Sequence, residues 1–286
     1  MTQYFTIAGI TWRVLLPEGA EPVRGDLADY ETPEAQSWDH TLEIVLCADL
    51  PQPRGTLVFR EPDKQIFVDS STQQRYTGSV EWDLTHASQC ITRQGDHSLV
   101  RLVLPENCAG ITAKAVLNAM EAEHHIARRG GFLLHSAWAA WRGKAILFTA
   151  PSGTGKSTQA ELWCRLRGAE LINGDRAAVL VEDDSIHVRG IPFCGCSGVG
   201  KNAAMPLGAV VYLSQAPENT VTALTGIRAF RRIWEGCCVN LWDRQDVDCC
   251  AAAVTAVAER VPVYHLACTP DERAVRALEQ RLEGFW

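Results

Sequence analysis

Over most of the first hundred residues, apolar and polar positions alternate with a period near two. The stretches "YFTIAGITWRVLL", "TLEIVLCADL", "GTLVFREPDKQIFVDS", "YTGSVEWDL" and "SLVRLVLP" are rich in β-branched and aromatic residues and are separated by Pro, Gly and Asp clusters. That pattern predicts a mainly antiparallel β region. Around Ala109 the period changes. In "GITAKAVLNAMEAEHHIARRG" the residues Ile111, Val116, Leu117, Met120 and Ile126 fall at helical spacings, and a Gly-Gly pair closes the run. The expected division is therefore a β-rich region over 1–110 and a second domain over 111–286.

Beyond this helix, "FLLHSAWAAWRGKAILFTA" contains two apolar runs joined by Arg-Gly-Lys, the signature of a hairpin. Its second strand leads straight into "APSGTGKST". The segment "TQAELWCRLRG" then reads as a helix ending at Gly168, and "AELINGDRAAVLVEDDSIHVRGIPF" as strands with a turn at Asp183-Asp184. "LGAVVYLSQA" is a buried strand. The tail supplies a helix over "VDCCAAAVTAVAER", a strand over "VPVYHLAC" and a last helix opened by Thr269-Pro270-Asp271. The fold class expected is α/β (α+β), with a mainly antiparallel β region at the N-terminus.

Composition narrows the function classes. A chain of 286 residues with 47% hydrophobic content buries a real core, and no run approaches the roughly eighteen uncharged apolar residues of a membrane span. The N-terminus lacks a charged-then-apolar export signal, so a cytoplasmic protein is expected. Residues 1–110 hold 8 Lys/Arg against 16 Asp/Glu, and the remainder 19 against 18. Neither half has the basic balance of a nucleic-acid binder. Eleven cysteines, none in C-x-x-C pairs, are expected to be reduced thiols that pack as small hydrophobes. His124-His125, His187 and His265 lack ligand spacing with one another, which argues against a histidine metal site.

Two loops compete for a phosphate. "GCSGVGKN", starting at Gly195, has the full G-x-x-x-x-G-K spacing, whereas "APSGTGKST" has Ala150 in place of the first Gly. A phosphate loop works because glycines turn backbone N–H groups inward and a helix begins at once, aiming its positive end at the anion. The Ala150 loop sits between an apolar strand and a helix. Its Ser152, Gly153, Thr154, Gly155, Lys156, Ser157 and Thr158 are the expected ATP contacts, with Lys156 reaching the β- and γ-phosphates and the Ser157 hydroxyl reaching Mg2+. The second loop has Asn202 where that hydroxyl is needed and meets Pro206 before a helix is established. It is either a surface turn or an active-site loop in which Lys201 supplies charge to the transferred phosphate or the acceptor.

With the loop placed, "GFLLHSAWAAWRGKAILFTAPSGTGKST" followed by "GAELINGDRAAV" resembles the catalytic domain of the HPr kinase/phosphorylase family. The resemblance covers about residues 125 to 285 and implies a phosphoenolpyruvate carboxykinase-like P-loop fold in which a mixed β core presents the loop. It implies site roles for Leu134-His135-Ser136 ahead of the loop and Gly174-Asp175 after it. The family's protein kinases carry two adjacent aspartates where this chain has Gly174-Asp175, and the N-terminal region does not match theirs.

Phosphoryl transfer asks for positioning and charge more than covalent chemistry. Asp175 is expected either to accept the proton of an acceptor hydroxyl or to hold Mg2+ with Ser157; as part of "NGD" it is otherwise a turn residue. His135 is expected at the site, and Arg176, by strand alternation, pointing away from Asp175. Arg228, Arg231 and Arg232 read as a solvated helix face or a dock for an acidic substrate. The function expected is ATP- and Mg-dependent transfer to a hydroxyl of a peptide, small protein or small molecule. The alternative is an ATP-binding regulatory or assembly protein. Acceptor recognition, homo-oligomerisation or simple cover for one side of the second domain are the roles open to the N-terminal region.

Overall fold

The computed structural model describes residues 1–61, 64–71, 74–79, 89–104 and 110–284. The chain forms two compact units, Met1–Ala122 and Glu123–Trp286. Of the expected strand "YTGSVEWDL", residues 80–84 lie outside the described residues.

The first unit is an eight-stranded sheet of β1 (Thr2–Ile7), β2 (Ile10–Leu15), β3 (His40–Leu46), β4 (Thr56–Glu61), β5 (Lys64–Asp69), β6 (Gln74–Ser79), β7 (Gln89–Gln94) and β8 (His97–Leu102). The strand order is β1-β2-β3-β8-β7-β6-β5-β4. The pairs β2–β3 and β3–β8 are parallel and the other five antiparallel. Alternation makes one face of β1 and β2 the core, where Phe5, Ile7, Trp12 and Val14 are fully enclosed.

The single helix expected over 111–129 is two, α1 (Ala113–Met120) and α2 (Ala122–Arg128). Glu121 takes a left-handed conformation between them, with φ +46°. Its buried carboxylate pairs with Arg93 of β7 at 2.8 Å, an ion pair that fixes the break. Alongside it, the Gln89 amide donates to Ala115 O at 3.0 Å, which ties α1 to the first unit. α1 thus falls within the first compact unit, Met1–Ala122.

The second unit holds β9 (Gly131–Trp141), β10 (Lys144–Thr149), α3 (Lys156–Arg167), β11 (Glu170–Asn173), β12 (Arg176–Val181), β13 (Ile186–Arg189), β14 (Ala204–Gln215), β15 (Thr220–Leu224), α4 (Gly226–Trp234), β16 (Cys237–Cys238), α5 (Arg244–Arg260), β17 (Val263–Cys268) and α6 (Glu272–Leu282). The hairpin β9–β10 turns through Arg142 and Gly143, both at positive φ. Strand pairing closes a circuit β9-β10-β14-β13-β12. Circuit closure depends on two long strands: β9 meets β12 with its first half and β10 with its second, and β14 meets β13 first and β10 later.

Successive residues of these strands feed two cores. Leu134, Trp138, Leu147 and Val210 face one side with Ile233 of α4 and Val254 of α5. Ala137, Phe148, Val211 and Leu266 face the other with Trp163 of α3 and Leu278 of α6. At about 1.5–3 kcal/mol for each fully buried large apolar side chain, this two-sided burial is the main stabilising term. Cys47, Cys90, Cys164, Cys237, Cys238, Cys249, Cys250 and Cys268 form no disulfide. Burial raises the thiol pKa of Cys237 and pushes that of Cys250 up to about 12, so both stay protonated.

Candidate functional site at the β10–α3 loop

β10 ends at Thr149, and α3 begins at Lys156 after a six-residue loop. Gly153 at φ +75° and Gly155 at φ +114° hold conformations that L side chains rarely adopt. Gly155 is the N-cap, so the free N–H groups of the first helical turn open into the loop. Lys156 is only 8% exposed and folds back to donate to Ala150 O at 3.0 Å and Pro151 O at 3.4 Å. Burial lowers its pKa, opposed by the nearby Asp175 carboxylate.

Two further segments reach this loop. His135 lies midway along β9, where its N–H donates to Gly236 O at 2.8 Å and its carbonyl accepts from Thr149 Oγ1 at 3.0 Å. Asp175 sits in the bend between β11 and β12. Asn173 builds that bend: it is fully buried, its Oδ1 accepts from Asp175 N at 2.8 Å and Arg176 N at 3.0 Å, and its Nδ2 donates to Ile191 O at 3.0 Å. The bond Ser136 N to Asp175 O, 2.9 Å, holds the bend against β9.

His135, Lys156, Ser157 and Asp175 thereby line one cavity of about 350 Å3, together with Ser152, Gly153, Gly155, Thr158, Gly174 and Ser197. His135 Nε2 lies 3.5 Å from Asp175 Oδ1. Its pKa is lowered, by desolvation first and by Lys156 and Arg176 next, with Asp175 opposing. A neutral imidazole beside a carboxylate is a proton acceptor rather than a second cation. The arrangement thus offers a cation, a hydroxyl, a carboxylate and a helix N-terminus around one space.

Arg176 does not point away from Asp175: its Nε lies 3.3 Å from Asp175 Oδ2. Strand alternation fails here because Asp175 belongs to the bend, and β12 begins only at Arg176. Lys201 is not brought to the cavity either. Its Nζ pairs with Glu170 Oε1 at 2.6 Å, and its N–H donates to Ile172 O at 2.9 Å, where the loop pairs with β11. No helix follows it before β14.

That second loop nevertheless abuts the site through residues the sequence reading passed over. A 3-10 turn over Gly195–Ser197 places Gly195, at φ +54°, so that a Cβ there would lie 2.8 Å from Asp175 Cβ. A Cβ on Gly174 would overlap Ser197 Oγ and Cβ. Ser197 thus fills the space that a side chain before Asp175 would take. The basic residues Arg231 and Arg232 are on α4, paired with Glu235 at 3.0 and 2.8 Å. Among the described residues the one His/Asp cluster with metal-like proximity is His124, Asp243 and Asp246, and Arg128 occupies it, donating to both carboxylates.

The family model described as ScmC, SynChlorMet cassette protein ScmC, matches residues 111–283. The chain belongs to the ScmC family. Among solved structures, the HPr(Ser) kinase/phosphatase from Coxiella burnetii matches over 53% of this chain and 99% of its own length, at 13% identity and a TM-score of 0.32. No curated protein matches. Among the described residues, no helix is long and apolar enough to cross a membrane.

Proposed function

We propose that this ScmC-family chain is an ATP-dependent phosphotransferase acting on a hydroxyl of a peptide, small protein or small molecule. The observation that carries the reading is the convergence of the β10–α3 loop, His135 and Asp175 on one cavity. In this reading the loop N–H groups and Lys156 hold the β- and γ-phosphates, an arrangement that uses positioning and charge. Lys156 exchanges its bonds to Ala150 O and Pro151 O for phosphate oxygens. Asp175 accepts the acceptor's proton, oriented by the Asn173 bend, and neutral His135 is its partner at 3.5 Å.

The exposed Ser157 hydroxyl and the Asp175 carboxylate are hard oxygen donors in one cavity, a set that suits Mg2+. Mg2+ held there would supply positive charge to offset the negative charge on the phosphate oxygens. A second reading, a nucleotide-binding regulatory protein, draws support from the single carboxylate in the cavity and from Ser197 occupying the space beside Gly174.

The two readings separate on Asp175→Asn. With labelled ATP, Mg2+ and a pool of serine-containing peptides, the kinase reading expects label on an acceptor with the wild type. It also expects transfer to fall about 10²–10⁴-fold in the variant while ATP binding persists. Tight ATP binding with no transfer by the wild type would reject the kinase reading in favour of the regulatory one.

A further inference from the structure

A second cavity, of about 570 Å3, shares Gly153, Gly155 and Thr158 with the first, so the two flank the loop. Its remaining wall comes from Thr154, from Gln159 of α3, from Gln215-Ala216 at the end of β14 and from Cys268-Thr269-Pro270 at the end of β17. β10, β14 and β17 are adjacent and parallel, so all three contributing segments leave the carboxyl edge of one set of strands. Crevices at that edge are where open α/β sheets receive ligands.

The two cavities differ in chemistry. The first presents Lys156, His135 and Asp175; the second presents no acidic or basic side chain, only amides, hydroxyls and the small apolar Ala216, Cys268 and Pro270. Such a lining disfavours phosphate and suits a flat, uncharged group with a hydrogen-bonding edge. Gln159 of α3 adds a specific demand. It is 2% exposed and its Nε2 donates to Thr269 O and Cys268 Sγ, both at 3.4 Å, while its Oε1 has no partner. Buried acceptors are rarely left unmet, and a turn of this amide towards the cavity would offer Oε1 to an exocyclic amine or ring N–H, the complementary group.

We infer that this cavity receives the base and ribose of the nucleotide whose phosphates lie on the β10–α3 loop, an inference that rests on the phosphate-loop reading above. The nucleotide then runs from Gln159 across Gly153–Gly155, with its terminal phosphate towards His135 and Asp175. The acceptor hydroxyl enters on the His135 side, never past Pro270.

The test compares MgATP with inorganic tripolyphosphate by calorimetry on the full chain. Ala216→Trp fills the second cavity without touching the first and is expected to weaken MgATP at least tenfold, with tripolyphosphate held within twofold. Gln159→Leu, a milder change, is expected to weaken MgATP about fivefold and to spare tripolyphosphate, whose retained binding also reports that either variant is folded. Unchanged MgATP affinity in both variants would overturn the inference, as would equal losses for both ligands. A wild type that binds tripolyphosphate as tightly as MgATP would also overturn it and leave the phosphate loop standing, whereas one that binds neither removes the phosphate loop itself.

Discussion

The contact between Gly174 and Ser197 sets a quantitative expectation. Gly174→Ala introduces a Cβ that overlaps Ser197 Oγ and Cβ, whereas the Ser197 Cα lies 3.9 Å away, at ordinary van der Waals distance. Gly174 is not at positive φ, so the added methyl meets steric rather than backbone strain. Ser197 is short and held at both ends, donating to Cys194 O at 2.7 Å and accepting from Val199 N at 3.2 Å, so it cannot swing aside freely. Overpacking of this kind costs about 1–3 kcal/mol. Ser197→Gly removes the obstruction and, through the lost hydrogen bonds, costs about 0.5–1.5 kcal/mol by itself. The double variant is then expected to be more stable than the sum of the singles by about 1–2 kcal/mol, a coupling typical of residues in contact. Urea unfolding of the four proteins of the cycle measures it, and the contribution of the first unit cancels. Additivity within about 0.5 kcal/mol would refute the claim that Ser197 fills the space beside Asp175.

Asp246 is fully buried and accepts from His124 at 2.8 Å, Arg128 at 2.7 Å and Asn240 at 2.9 Å. Asp246→Ala leaves His124, Asn240 and Arg128 Nε without their shared acceptor, while Arg128 keeps Asp243, and should cost about 1–3 kcal/mol in urea unfolding. Lys201→Ala should leave phosphotransfer at the wild-type rate, because its ammonium is committed to the exposed Glu170 outside the cavity. The pKa values of His135 and His265 are both lowered from 6.5, by desolvation first. The unfolded chain therefore binds more protons, and stability is lost as pH falls from 6.5 through the folded pKa values. His135→Gln with His265→Gln should flatten that slope between pH 7.5 and 5.5 in urea midpoints.

Much of the second unit is written locally. The Arg142-Gly143 turn, the strand–loop–helix around Lys156 and the Asp271 cap of α6 each follow from a few neighbouring residues. What escaped depends on distant partners. The break at Glu121 needs Arg93, 28 positions earlier, and no local propensity announces it. Asp175 and Arg176 meet because buried Asn173 bends the chain; the "NGD" spelling carried that signal, since Asn readily bonds the backbone two residues on. The role of the second loop was hidden for a similar reason. Its spelling drew attention to Lys201, while the packing uses Gly195 and Ser197 against Asp175.

β10 is flanked by β9 and β14, and its alternate residues Leu147 and Phe148 are sealed in the two opposing cores. Its amides therefore exchange with solvent only through large-scale opening of the second unit. The glycine loop is attached to the end of this doubly flanked, buried strand, which holds the loop in shape. In the phosphotransferase reading, a phosphate docking there would lose little free energy to ordering the loop, and its affinity would reflect the contacts themselves.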